Sequence, residues 1–493
     1  MSGLNSSLQI RLTALQASQS ALNVVGHNIS NVNTPNYSRQ RAILVNNASQ
    51  TFGNMQFGLG VTVNNILGVR DKYLDLRITQ ATSAKSGADV RYSSLEAVAS
   101  VFTENGEDSD LGTLVQNFFK GFQELSSKPE DGSIRTNVVG KAQSLINGIK
   151  SRYELLEAQR TQADKNIGSL VTEVNTLTAE IAKLNARIAT ETTEGADSDA
   201  RDQRQGLANE LAALVGVQTF EDSHGQLQVT LDGGKGVLVN GSKSGTMMAT
   251  QNAATGFSDV TVSFGSGTPL DVSTSIKEGS LGANLDLRDD VLAGYQQKLD
   301  ELAAGIAGQV NLVQRGGYSL TGASMATTDF FGQFASNGAD GLPTTVAAAD
   351  HYKGMVNALT VNVAVVSNTD LIAASGTGAA GDNMNARKLA ALETAANTVD
   401  TNGDGVGDSG PFSTVIGSLV NTLGTDAQGY ETRSTEDENL LTALQTQRDR
   451  VSAVDLDEEA TTMLTFQRGY QASARFISVI NQLMDQLVNN FGQ

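Results

Sequence analysis

Apolar residues recur at every seventh position at both extremes of this 493-residue chain, and that period constrains what the ends can become. Near the start they are Leu8, Leu15, Leu22 and Ile29, flanked by a second stripe of Leu4, Ser18, Val25 and Val32. Near the end they are Leu456, Met463, Tyr470, Ile477 and Met484, flanked by Phe466, Ile480 and Leu487. A seven-residue apolar repeat is a helical seam made to meet another helix. Seams at both ends predict that the chain starts and finishes in one place. They also mark a candidate contact between subunits.

A longer seam lies between them. Ile149, Tyr153, Leu156, Arg160, Ala163, Ile167, Leu170, Val174, Leu177, Ile181, Leu184 and Ile188 follow alternating steps of four and three, broken only by Arg160. At about 1.5 Å per residue this predicts a rod of roughly 60 Å with a solvated opposite face. Leu285, Leu292, Leu299, Ile306 and Val313 repeat every seven, and a third stripe runs through Tyr430, Leu441, Leu444 and Val451. These three segments are expected to form one bundle within the chain, joined by a core-facing helix at residues 111–125. From Val215 to Lys277 the pattern turns to short alternating runs punctuated by glycine, as a small antiparallel β domain requires. Residues 316–385 are rich in Ala, Gly and Thr and read as a second insertion.

The expected fold is therefore mixed and mainly α. A long coiled-coil-like helical bundle is formed by the N- and C-terminal parts, with an inserted β-rich domain and a second small inserted module. The expected division is 1–38 plus 456–493 as a terminal-helix assembly domain and 39–214 plus 280–315 plus 386–455 as a helical stalk. Residues 215–279 form the β-rich domain and 316–385 the variable module.

Composition removes several functions. The chain has no cysteine, which excludes disulfides, thiol catalysis and cysteine zinc sites. No stretch approaches the ~18 apolar residues of a membrane span, and no cleavable secretory peptide is expected. A net charge of −19 opposes nucleic acid as a partner, because phosphate needs basic surface. That charge is unevenly placed: no Asp or Glu precedes Asp71, and residues 1–70 carry only Arg11, Arg39, Arg41 and Arg70 as full charges. This is either a polar segment that lacks acids, or an uncleaved export address or surface that must not repel its neighbours. His27, His224 and His351 form no metal motif, and no glycine run has the frame of a P-loop. Asp457, Glu458 and Glu459 read as acids in the first turn of the last helix, where the helix dipole favours them. Asp400, Asn402, Asp404 and Asp408 match the first half of a calcium loop. Pro411 stands where the bidentate acid should be, so the expectation is a weak or absent site. No catalytic set and no cofactor are expected.

The decisive residues follow the first helix: Asn28, Ile29, Ser30, Asn31, Val32, Asn33, Thr34, Pro35, Asn36, Tyr37, Ser38 and Arg39. Asn and Ser compete with the helical backbone for hydrogen bonds. Thr34 before Pro35 is pushed towards extended geometry, and Asn36 tolerates a left-handed conformation. Gln40 to Val45 then reads as a strand. This segment resembles the N-terminal motif of the axial (rod and hook) proteins of the bacterial flagellum, which usually have Gly where this chain has Asn36. Gly58-Leu59-Gly60-Val61, Arg70 to Asp75 and Leu125 to Asp131 with Arg135 are similar to the following family segments. Leu456 to Ala460 and Phe466 to Arg475 are similar to the C-terminal signature. The Tyr37-Ser38-Arg39 ending and the Leu-Ser-Ser-x-Pro segment point to the hook–filament junction members.

The resemblance implies a structural protein, extracellular in the flagellum and exported without signal cleavage. It implies self-assembly into a short helical layer through the terminal helices, with the hook protein and the filament-side junction protein as neighbours. It also implies an export chaperone at the C-terminal helix, and neither nucleic acid nor membrane insertion. The alternatives are another axial protein, such as the hook or distal rod subunit, and an exported enzyme carried on axial-type ends.

Overall fold

The computed structural model describes residues 2–52, 55–102, 110–190, 197–332, 352–395, 397–399 and 408–491. Its helices run α1 (Ser2–Ser30), α2 (Lys72–Phe102), α3 (Leu111–Ser127), α4 (Gly132–Ala189), α5 (Ser198–Leu214), α6 (Gly279–Asp286), α7 (Leu292–Arg315), α8 (Met355–Ala358), α9 (Val363–Ser367), α10 (Met384–Ala391), α11 (Phe412–Ser452) and α12 (Leu456–Phe491). The strands are β1 (Gln40–Asn46), β2 (Gln50–Phe52), β3 (Met55–Phe57), β4 (Val61–Gly68), β5 (Val217–Glu221), β6 (Leu227–Leu231), β7 (Val237–Asn240), β8 (Lys243–Ser244), β9 (Thr246–Gln251), β10 (Ser258–Ser263), β11 (Leu270–Asp271), β12 (Asn397–Val399) and β13 (Asp408–Gly410). The chain divides into two compact units, Ala88–Ile167 with Ala283–Ser434, and Met1–Gly87 with Gly168–Gly282 and Thr435–Gln493.

The first of these units is helical around a single apolar core. The α4 seam buries Leu145, Ile149, Leu156, Ala163 and Ile167, and α7 presents Tyr295, Leu299, Leu302 and Ile306 to the same core. Helix α3 starts on Asp110, whose carboxylate accepts from the Thr113 N–H at 3.0 Å. Its Phe118, Phe119 and Phe122 meet Phe330, Phe331 and Phe412, with Phe119 stacked on Phe412 at 5.7 Å between ring centres. The break in the seam has its own partner. A π turn at Leu287–Val291 frees a backbone carbonyl, and Arg160 donates to that of Arg288 at 2.8 Å. Arg288 is itself buried and donates to Asp164, one helical turn along α4, at 2.6 Å. Arg135 is fully buried, and among the described residues it forms no ion pair. It donates to the carbonyls of Pro129, Thr369 and Ile372, tying the start of α4 to the second inserted segment.

In the second unit the remainder of the α4 seam changes partner. The expectation that this whole seam meets other helices is corrected here, because residues from Gly168 onward dock on strands as well as on α5. Val171, Val174, Leu177, Ile181 and Ile188 are buried, and two asparagines present peptide-like amides to the sheets. Asn175 exchanges both bonds with the Met247 backbone in β9, each at 2.8 Å. Asn185 accepts from Leu227 N–H at 2.9 Å and donates to the carbonyls of Leu227 and Gly241 at 2.8 Å. Its carbonyl takes a further bond from Arg204 of α5 at 2.8 Å, so every donor and acceptor of that buried amide is used. The strands form antiparallel sheets in the orders β5-β6-β7-β8 and β11-β10-β9. Helix α2, which carries no strong apolar period, packs Leu74, Ile78 and Ala81 on Leu444 of α11. The Asp400–Asp404 part of the calcium candidate, the Asp408 side chain and His351 lie outside the described residues.

Two expectations follow. Asn185→Leu keeps the volume but strips partners from two carbonyls, one N–H and Arg204. It should lower stability by about 2–4 kcal/mol in denaturant unfolding; an unchanged midpoint would discount the clamp. Glu221, on β5, is approached by Lys72, Arg201 and Arg204. Burial opposes its charge, but these three cations outweigh burial and hold its carboxyl below the usual range. A depressed acid contributes stability above its unfolded value of about 4.3, and that stability is lost as pH falls through the folded value. Glu221→Gln should therefore be less stable at pH 7 and lose less stability on acidification below about pH 4.3, read by thermal unfolding against pH.

Candidate functional site: the paired termini and the axial turn

Helix α1 stops because side chains take over its last carbonyls. Ser30 Oγ bonds the Gly26 carbonyl at 2.8 Å, and Asn31 bonds that of His27 through its side chain at 3.0 Å. The turn that follows is pinned by Thr34 Oγ1 on Asn31 at 3.1 Å and by Asn36 at φ 61°, the left-handed conformation asparagine tolerates. Asn33 and Pro35 stay exposed on its outside. Buried Asn28 then fastens the chain's return: its amide donates to the Gln40 carbonyl and accepts from the Gln40 N–H, both at 2.9 Å, and takes the Tyr37 hydroxyl at 2.8 Å. Burial first, then the carboxylates of Asp199, Asp202 and Glu459, push the Tyr37 phenol up, so it remains a proton donor. The hairpin of β1 and β4 closes on α1 at Gly60, whose φ of 93° suits glycine and where a Cβ would stand 2.3 Å from Thr13 Oγ1.

Two partners of the turn come from distant sequence. Asp202 of α5 accepts from the Ser38 N–H at 2.7 Å, and Arg39 reaches the first turn of α12. Arg39 Nε meets Glu459 at 2.6 Å and its Nη atoms meet Glu458 at 2.9 Å, while its N–H bonds the Ser452 carbonyl at 2.8 Å. Glu459 is buried, so the acids at the start of α12 are not only a helix-dipole feature as their position implied; one is half of an internal ion pair. A cleft of ≈ 670 Å³ lies over the turn, with His27, Asn36, Lys183, Asp199 and Glu210 in its walls. Among the described residues no group of His, Cys, Asp or Glu is arranged to hold a metal ion.

Helices α1 and α12 pack on each other. On α1 the inward positions are Ala17, Ala21, Val24, Val25 and Asn28, whereas Leu8, Leu15, Leu22 and Ile29 are half-buried along its flank. On α12 Ile480 is buried and Met463, Phe466, Tyr470, Ile477 and Met484 are half-buried; Leu456 is exposed, and the Leu487 side chain lies outside the described residues. Small residues let the backbones approach, with Gly469 against Ser18, and Arg11 lies 4.4 Å over the Phe476 ring. Sequence reasoning missed a second stripe on α12. Phe476, Val479 and Leu483 remain between 39% and 51% exposed, roughly 100° around the helix from the inward positions. Its signal was present as the i, i+3, i+7 spacing of 476, 479 and 483. Asp202 and the rest of α5 had no comparable signal.

Paired terminal helices closed by this turn are the arrangement expected of a structural axial protein of the bacterial flagellum. The family models agree. That for the flagellar hook-associated protein FlgK helical domain matches residues 95–331, the flagellar basal body rod protein model matches 8–37, and the C-terminal model of the basal body rod FlgEFG proteins matches 445–490. The chain is 27% identical to flagellar hook-associated protein 1 of Escherichia coli over 99% of this chain and 100% of that one. It is 27% identical to the Bacillus subtilis protein of that name over 98% of each, and 28% identical to that of Salmonella typhimurium over 99% and 100%. The solved flagellar hook junction protein FlgK from Burkholderia pseudomallei shares the fold, with TM-score 0.64 at 16% identity over 76% of this chain and all of that one. The chain is thus similar, over nearly its full length, to hook-associated protein 1 of the bacterial flagellum.

Removing Arg39 would leave Glu459 buried and charged. Arg39→Ala should cost about 3 kcal/mol, and Arg39→Met with Glu459→Met should recover most of that, because an apolar pair needs no ionic partner. A double variant no more stable than the single would sink this account.

Proposed function

We infer that this chain is the subunit that joins hook to filament, building a short helical layer through α1 and α12. The observation that carries this reading is the α12 stripe left open after α1 has packed. Burying Val479, Leu483 and the part of Phe476 that Arg11 leaves open gives on the order of 1 kcal/mol each, since about half of each is already covered. In that layer Leu8, Leu15, Leu22 and Ile29, half-buried in one subunit, complete their burial against the next. The hook protein lies on one side and the filament-side junction protein on the other, and before export a chaperone shields the C-terminal helix. The chain acts outside the cell as a structural element and carries no catalytic activity. In this reading residues 1–38 with 456–493 assemble, and residues 215–279 and 316–385 are insertions into the stalk.

The hook or distal rod subunit is the second reading. The helical-domain match at 95–331 favours the junction protein over it. In a strain lacking the gene, complementation with this chain should restore filaments. Val479→Asp, or Ile477→Asp on the flank facing α1, should leave Phe118 and its core folded while cells make hooks and release flagellin into the medium. Normal filaments with both substitutions would remove the assigned role of α12.

A further inference from the structure

We propose that the β1–β4 hairpin is a docking arm that seats on the acidic body of a second copy of this chain. The proposal rests on the assembling role inferred above and names what this part of the subunit touches. Its first support is geometric. The hairpin is a two-stranded sheet, and among the described residues no further strand pairs with either of its edges. Helix α1 packs against both strands, so the positions left for a neighbour are the β1 side chains that stay exposed. Strand period puts Arg41, Ile43 and Val45 on one face, and of these Arg41 and Val45 are exposed, Val45 at 39%. The neighbouring Leu44, on the opposite face, is 41% exposed. A cation at the end of a row of β-branched apolar side chains is a pad suited to a surface that is both acidic and partly apolar.

The second support is charge. Residues 1–70 contain four arginines and no acid, so a whole-chain net charge of −19 leaves −23 on residues 71–493. Arg39 is neutralised by Glu458 and Glu459, and Arg70 by Asp75. Arg11 lies over an aromatic ring. Arg41 is the exposed cation of the hairpin, and among the described residues it forms no ion pair. An acid-free arm and a strongly acidic body on the same chain are complementary between copies, and this sets partner and orientation more than it adds affinity. Arm-to-arm pairing is disfavoured. It would bring Arg41 of two copies together, and the register shift between Ile43 and Leu44 twists the edge. The docking element is thus the sheet face, and the receiving surface lies in residues 71–493 of the neighbour.

The test uses full-length protein assembled in flagella, with a photoreactive benzoylphenylalanine at position 45 and, separately, at position 479. The expected result is an adduct from position 45 to an Asp- or Glu-containing peptide within residues 71–493 of a second copy. Arg41→Glu should reduce it about fivefold, while Arg41→Lys leaves it near the parent yield. Capture of only another protein, or of residues 1–70, would overturn the arm; so would no capture at 45 while 479 captures a second copy. An adduct insensitive to Arg41→Glu would overturn the electrostatic basis. Failure at both positions in assembled flagella would reject the arm together with the assembling role of α12.

Discussion

The ion pair between Arg39 and Glu459 joins residues 420 positions apart, and much of the rest of this molecule's end depends on it. It is built from both directions. The α1 stop and the Asn28 amide place Arg39 at the start of β1, and the first turn of α12 places Glu459 in a buried position beneath it. A buried carboxylate without its cation is costly, so the pair specifies one arrangement of the ends rather than merely adding attraction. With it in place α12 packs on α1 and keeps its remaining stripe exposed. The axial turn is then less a signature than a joint, held by the Asn28 amide, by Asp202 on the Ser38 N–H and by Arg39 on Glu459.

Helix α4 shows how one period serves two kinds of neighbour. Up to Leu156 its seam enters a helical core of the usual aliphatic and aromatic kind. Beyond Gly168 it meets strand backbone, and there apolar side chains alone would leave N–H and C=O groups without partners. Asn175 and Asn185 supply those partners while keeping the helical spacing. Arg160 does the same for the carbonyl freed at the π turn. Polar residues inside an apolar seam are in each case the places where the partner is not a regular helix.

This also explains what could be read from residues alone. The terminal helices, α3, α4 and the β-rich segment were legible because their periods are local and strongly contrasted. Helix α2 escaped because small residues such as Ala81, Ser83 and Ala88 fill its buried positions and contrast little with the rest. Helix α5 escaped because its inward face includes Asp202 and Arg204, which a search for apolar spacing discards. At the site, residues 28–39 declared a turn through their own chemistry. Nothing local announced that Ser38 would find Asp202, or that Arg39 would find Glu459, since those choices are made by tertiary proximity across long separations.

The unit that holds the termini is drawn from Met1–Gly87, Gly168–Gly282 and Thr435–Gln493, so it has a consequence for the order of events in time. Contacts between the first and last segments have very high sequence separation, and their loop-closure entropy must be met before they stabilise anything. The helical unit, Ala88–Ile167 with Ala283–Ser434, has all its chain available earlier as the protein emerges from its N-terminus. The part of the molecule that carries the joint is therefore the last that can close. A chain whose ends complete each other stays kinetically open until its final segment arrives.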